Sequence, residues 1–363
     1  MGCHMTNRIP LFLKLMFTLL LSTLFLSSAH SEENLGNWKF NRLLLKPTFQ
    51  APEGEDGNFN VDGSFVGVRW NKDESLSAQI LLGQMNLRQR PYIYRDGALD
   101  TDANELELVE AYGQKSYAGG EFRYGLIPLD FSLLLSSPQE KEDLAPALLY
   151  RQGVLVRRDF GLSVSTESPS FVSQLSIHNG EGGPDQDGKL WLTGNWAFLY
   201  EKFIVGVTGQ AGHTKPIGTT NSSLTLSNFD NSLASKWRIG GLYFSNQFDQ
   251  LRLRGELIWG GLEQEAIDNA QFNAGHIEAE WQSLGPWGFL MRYDSFDPNE
   301  DISLDAMTET IAALLYRDKT DTSAWSLQWI HPDEQGSEIK NDEIRLVWRN
   351  SPLLGRVPDH ISR

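Results

Sequence analysis

Apolar and polar residues alternate with period two in one stretch of this chain after another. In Asp249–Gly260, Leu251, Leu253, Leu257 and Trp259 share one face, while Arg252, Arg254 and Glu256 share the other. In Asn273–Ser283, Ile277, Ala279 and Trp281 oppose His276, Glu278, Glu280 and Gln282. Trp325, Leu327 and Trp329 oppose Ser326 and Gln328, and Ile344, Leu346 and Trp348 oppose Glu343, Arg345 and Arg349. Successive side chains of a strand point to opposite faces, so each stretch predicts a strand with one apolar and one polar side. Sixteen are read: 38–50, 59–70, 76–89, 104–115, 119–127, 153–166, 170–179, 189–200, 202–212, 235–248, 250–260, 272–283, 286–296, 308–319, 321–331 and 341–349. Pro47 interrupts the first. In the fourth, Leu108 and Val109 fall out of phase, which predicts a bulge.

Two features separate a membrane barrel from a half-buried soluble sheet. Most stretches are longer than the mode of about 5 to 6 residues in globular proteins and match the roughly 9 to 11 needed to cross a bilayer at a tilt. The gaps between them also alternate between tight and long. Tight gaps fall at Ser116–Ala118, Glu201 and Asp249, for example, and long ones at Arg90–Ala103, Pro128–Gln152 and His213–Ala234. Short turns at one rim and long loops at the other are the habit of outer-membrane barrels. The expected fold is therefore all-β, a transmembrane antiparallel up-and-down β-barrel of about 16 strands, with 14 to 18 compatible. Both chain ends would lie at the short-turn rim. Trp38, Trp70, Tyr117, Tyr200, Phe203, Phe248, Trp287 and Trp325 recur near that rim, where an interfacial aromatic girdle would place them.

The first 31 residues read as a secretory signal peptide. Arg8 and Lys14 precede a nearly unbroken apolar run from Leu11 to Leu26, and Ala29-His30-Ser31 ends in small residues before Glu32. The domains expected are a signal at 1–31, the barrel at 32–349 and a tail at 350–363. Cys3 precedes the apolar run, so cleavage leaves no cysteine. Losing Arg8 and Lys14 reduces the 31 basic residues to 29, against 47 acidic ones. So acidic a chain lacks the basic footprint of a nucleic-acid binder.

Short motifs in the middle of the chain carry a resemblance. Val109-Glu110-Ala111-Tyr112, then Glu121-Phe122-Arg123-Tyr124-Gly125-Leu126-Ile127-Pro128, resemble a motif pair of the phosphate-selective family of outer-membrane porins and its relatives. Arg158-Asp159-Phe160-Gly161-Leu162-Ser163-Val164, His178-Asn179-Gly180-Glu181-Gly182 and Tyr293-Asp294-Ser295-Phe296-Asp297-Pro298-Asn299 add to it. The resemblance implies a Gram-negative outer-membrane channel for passive diffusion of small solutes. Such barrels usually end in an aromatic residue, whereas here 15 residues follow Trp348. In sixteen-stranded porins the loop at the place of Pro128–Gln152 folds inward and narrows the pore, which makes Asp130, Glu140, Glu142 and Asp143 the candidate constriction residues. A solvated outer loop is the competing reading.

Alternation places Arg123, Arg157, Arg252, Arg254 and Arg292 on the polar face, as candidates for solute contact. No G-x-S-x-G and no metal-spaced histidine pair appears, so catalytic residues, metal and cofactors are expected to be none. His178, His213, His276 and His331 read as scattered polar residues. Expected partners are outer-membrane lipid and lipopolysaccharide, the barrel-assembly machinery and small solutes. A homotrimer is compatible with this reading, and nucleic acid is not. The competing functions are a non-transporting barrel, such as an adhesin or structural anchor, and a secreted soluble β-protein.

Overall fold

The computed structural model describes residues 38–54, 57–61, 63–72, 75–84, 107–132, 142–151, 154–155, 157–180, 188–214, 233–264, 269–283, 285–334 and 342–352. The predicted signal at 1–31, Glu140 of the candidate loop and the end of the tail from 353 lie outside the described residues. The chain divides into two units, Met1–Lys39 and Phe40–Arg363. The strands are β1 (Trp38–Leu44), β2 (Thr48–Pro52), β3 (Asn58–Asn60), β4 (Ser64–Asn71), β5 (Leu76–Gln84), β6 (Glu107–Tyr117) and β7 (Gly120–Pro128). A single helical turn, α1 (Leu148–Arg151), comes next. Then follow β8 (Arg158–Ser168), β9 (Phe171–His178), β10 (Trp191–Tyr200), β11 (Phe203–Thr214), β12 (Ser235–Phe248) and β13 (Leu251–Gln264). The last are β14 (Ala270–Gln282), β15 (Trp287–Asp297), β16 (Met307–Arg317), β17 (Ser323–Glu334) and β18 (Glu343–Asn350).

Each strand from β4 to β18 pairs antiparallel with the next, β18 pairs with β2, β2 with β3, and β1 with β4. The result is one 18-stranded antiparallel up-and-down sheet, where the sequence predicted a closed barrel of about sixteen. The two additional strands arise because the first two predicted stretches are each broken. Stretch 38–50 divides around Leu45-Lys46-Pro47, where proline has no N–H for a ladder. Leu45 bridges to Asn350 there, and β2 continues on β18. Stretch 59–70 divides before Gly63, whose φ of 82° lies in the left-handed region that glycine adopts without strain. The predicted bulge is present in β6. Leu81 pairs with Glu110 and Leu82 with Leu108, so Val109 is the extra residue, and it packs beside Leu44, Phe65 and Leu81.

Burial across the sheet is the reverse of a soluble protein's. Leu251, Trp281, Phe289, Leu314, Leu327 and Leu346 stand opposite one another on six adjoining strands, and all six are exposed. On the other face Glu280 and Gln328 are 0 % exposed. Soluble proteins rarely leave so continuous an apolar band uncovered. Next to the tight turns, Tyr117, Tyr200, Phe248, Trp287 and Trp325 are exposed as the girdle reading expects. Trp287 meets Tyr316 edge-on at 5.1 Å, and Trp325 stacks on Trp348 at 5.6 Å.

Candidate functional site: a segment laid across the polar face

The chain leaving β7 turns onto the polar face of the sheet. Leu129 N–H donates to the Arg157 carbonyl at 2.8 Å, and Asp130 N–H donates to Gln174 Oε1 on β9 at 2.8 Å. Phe131, Ala147 to Tyr150, Val154 and Leu155 then form one buried apolar cluster with Trp191 of β10, Trp237 of β12, Ile258 of β13 and Phe272 of β14. Leu144 and Ala145 form a second with Leu290, Ile311 and Ile330 of β15 to β17. The described parts of 128–155 therefore lie against the sheet's polar face.

Polar bonds also hold this segment. The Asp143 carboxylate accepts from Arg317 Nε at 2.7 Å and from Arg349 Nε at 2.6 Å. Its carbonyl accepts from Ser326 Oγ and Gln328 Nε2, both at 2.8 Å. Glu142 pairs with Arg157 at 2.6 Å. Ser132 and Tyr150 share a hydroxyl bond of 2.5 Å, and the Tyr150 hydroxyl donates to Glu256 of β13 at 2.5 Å. Burial, and then the Glu256 carboxylate, push the Tyr150 phenol well above its ordinary range, so it stays protonated and remains a donor.

Each of the predicted contact arginines meets a carboxylate. Arg123 pairs with Glu121 at 2.7 Å and lies over the Tyr112 ring at 5.6 Å. Arg157 is held by Glu142, Arg252 by Glu280, and Arg254 by Glu278 through an Nε bond of 2.9 Å. Arg292 lies 3.0 Å from Asp294 and 4.0 Å from Glu309. Asp130 lies at the start of the segment and borders a cavity together with Arg123. Asp143 thus meets basic residues of β16 and β18 at bonding distance, while Glu142 meets Arg157, which precedes β8.

Sequence reasoning passed over the anchors Arg317, Arg349, Gln328 and Glu256, although alternation already set Arg349, Gln328 and Glu256 on polar faces. It also read His178 as incidental. His178 is buried between Asp159, at 2.6 Å from Nδ1, and Thr193, at 2.7 Å from Nε2. Gln210 Nε2 donates to the same Thr193 hydroxyl at 2.9 Å, and Gly180 N–H donates to Asp159 at 2.5 Å. Among the described residues no group of three His, Cys, Asp or Glu side chains could hold a metal ion.

A cavity of about 380 Å³ opens where β6 to β9 meet the tight turns, lined by Ser116, Glu121, Arg123, Asp130, Ser165 and Glu167 among others. Its lining residues belong to β6 to β9 and the stretch after β7, whereas the Asp143 anchors lie on β16 to β18.

No family model matches the sequence, and no curated protein matches it either. The fold, in contrast, has close structural counterparts. An anion-selective porin from Comamonas acidovorans superposes with a TM-score of 0.66 at 13% identity, over 86% of this chain and 99% of that one. A loop-deletion mutant of OmpT, an outer membrane protein of Vibrio cholerae, gives 0.65 at 11% identity over 86% and 98%. The outer membrane channel DcaP of Acinetobacter baumannii gives 0.61 at 10% identity over 87% and 98%. The likeness supports a general porin-like β-barrel and does not single out the phosphate-selective family. This chain has the fold of outer-membrane porins and channels.

Proposed function

We propose that this chain is a Gram-negative outer-membrane channel of the porin type, admitting small polar or charged solutes by passive diffusion. The observation that carries the reading is the reversed burial: an exposed apolar band on one face, and a buried polar face with the described parts of 128–152 packed against it. In this reading the sheet closes around the polar face, the apolar band meets lipid and lipopolysaccharide, and the segment narrows the passage. Cleavage of 1–31 and assembly as a homotrimer belong to the same proposal, and it assigns the chain no catalytic step. Planar-bilayer recording of the refolded protein tests it: discrete conductance steps in potassium chloride are expected, and folded protein that inserts without current would sink the channel claim. Membrane placement has its own test. Leu257, 62% exposed in the middle of β13, when changed to Arg should cost roughly 2 to 4 kcal/mol in a bilayer. A change near zero would place that face in water.

One observation favours a second reading, a barrel that does not conduct and serves as an adhesin or anchor. Ser132, Glu280 and Gln328 are wholly buried, so the segment packs tightly where it is anchored. The same recording separates the two.

A further inference from the structure

The outward face of β12 breaks its apolar pattern at the long-loop end. Lys236 and Arg238 alternate there with the buried Trp237 and Ile239, and their side chains are 57% and 74% exposed. His213, Lys236 and Glu263 form one register row across β11 to β13, and Ala211, Arg238 and Gly261 form the next row on that face. Glu263 lies 4.0 Å from the Lys236 ammonium and 3.3 Å from the Arg238 guanidinium, so one carboxylate answers two cations. Pairs this exposed hold loosely and leave both cations open to a better acceptor. Arg238 also stands clear of its row, since Ala211 is small and a Cβ placed on Gly261 would meet nothing within 4 Å.

Depth decides what lies opposite these cations. From Phe248 in the tight-turn girdle to Arg238, β12 runs about ten residues, or roughly 25 Å at a tilt of about 40°. The apolar band of an outer-membrane barrel is about 25 Å tall, so the two cations stand at its far edge, level with lipid headgroups. Below them Val207, Leu242 and Leu257 share a row of the exposed apolar band. The rim is not basic throughout: β15 ends there in Asp297, and Glu300 accepts from Asn273 at 2.8 Å. A guanidinium fork matches phosphate oxygens, and an ammonium beside it adds a second positive charge. We propose that Lys236 and Arg238 dock a phosphate of lipopolysaccharide, the phosphorylated glycolipid of the outer leaflet, whose acyl chains lie along the apolar band. The inference rests on the membrane placement of the channel reading and gives it a lipid partner at a defined place on the wall.

Diphosphoryl lipid A is the probe, added to the refolded full-length protein in detergent and followed by native mass spectrometry. It should bind, and Lys236→Gln with Arg238→Gln together should weaken it about tenfold or more, the loss of charge-assisted bonds to phosphate. Glu263→Gln should strengthen it severalfold, because the competing carboxylate is gone, an effect that a merely structural role for the row would not produce. Lys202→Gln, in the exposed tight turn between β10 and β11, should leave binding as it was. Lipid A that binds the double variant as well as the unaltered protein overturns the inference, and so does equal binding of lipid A stripped of both phosphates. Displacement by an equal amount of phosphatidylglycerol would overturn it in favour of a general anionic-lipid surface. Protein that conducts but shows no phosphate-dependent binding overturns this inference alone. Protein that binds lipid A through these residues but never conducts overturns the channel reading and keeps the site.

Discussion

The polar face has two unlike halves. Across β6 to β11 one register row reads Gln114, Arg123, Ser163, Ser176, Thr193 and Gln210, five neutral amides or hydroxyls around a single charge. Across β13 to β16 the rows read Arg254, Glu278 and Arg292, then Glu256, His276, Asp294 and Glu309. Alternation runs through both halves, interrupted in the first by the bulge in β6, yet the bonding differs. The row across β6 to β11 is bonded through short side-chain contacts such as Gln210 with Thr193, and charges beside it pair locally, Arg123 with Glu121, Arg158 with Glu110 and His178 with Asp159. The charged half needs opposite charges to offset desolvation, and the crossing segment supplies some of them: Asp143 to Arg317 and Arg349, and a Tyr150 hydroxyl to Glu256. The segment is thereby drawn to the charged half, and the cavity remains beside β6 to β9.

The sharpest way to break this contrast is Asp143→Ala. It leaves two buried guanidinium groups short of a carboxylate, and breaking such a pair costs about 3 to 5 kcal/mol. The low end is expected, because Arg349 keeps Asp321 and Arg317 keeps Glu280. Denaturant unfolding measures it, and single-channel conductance should rise as the segment loosens. A loss under about 1 kcal/mol, the scale of exposed pairs, would mean the charged half does not hold the segment. A matched pair of substitutions then compares the halves directly. Tyr150→Phe removes a donor to a carboxylate and should cost about 1.5 to 3 kcal/mol. Tyr243→Phe removes a 2.6 Å bond to the neutral Asn195 and should cost only about 0.5 to 1.5 kcal/mol. Equal losses from the two would erase the distinction between the halves.

Strand placement was largely legible in the sequence because period two is a local signal. The predicted 235–248 coincides with β12, and the out-of-phase Leu108-Val109 marks the bulge. Stretch 153–166 shows where that signal misleads. Val154 and Leu155 look strand-like, but they belong to the buried cluster beneath the segment, and β8 begins only at Arg158. Partners were much harder to read than faces. Alternation sets Arg349 on the polar side, while its partner Asp143 lies 206 residues earlier, and Arg317 is 174 residues from the same carboxylate. His178 has its partner Asp159 19 residues away in the neighbouring strand, close enough that two polar-face residues of one hairpin could have been matched. Selecting candidate arginines by sign gave no account of which carboxylate each would meet, and Arg157, expected on a strand face, precedes β8.

The pairing of β2 with β18 bears on the order of folding. β2 has β3 on one side and β18 on the other, and the Ser351 hydroxyl donates to the Leu43 carbonyl across 308 residues of chain. Pairings so distant in sequence come late, because the entropy of closing the loop must be met before the contact returns anything. Until the final strand is in place, β2 and the edges near it carry unpaired backbone groups, and the apolar band is present on an unfinished sheet. This is the interval in which the chain is most prone to aggregate. Its hazard therefore lies in the time taken to join its first strands to its last, and refolding yield should fall as protein concentration rises.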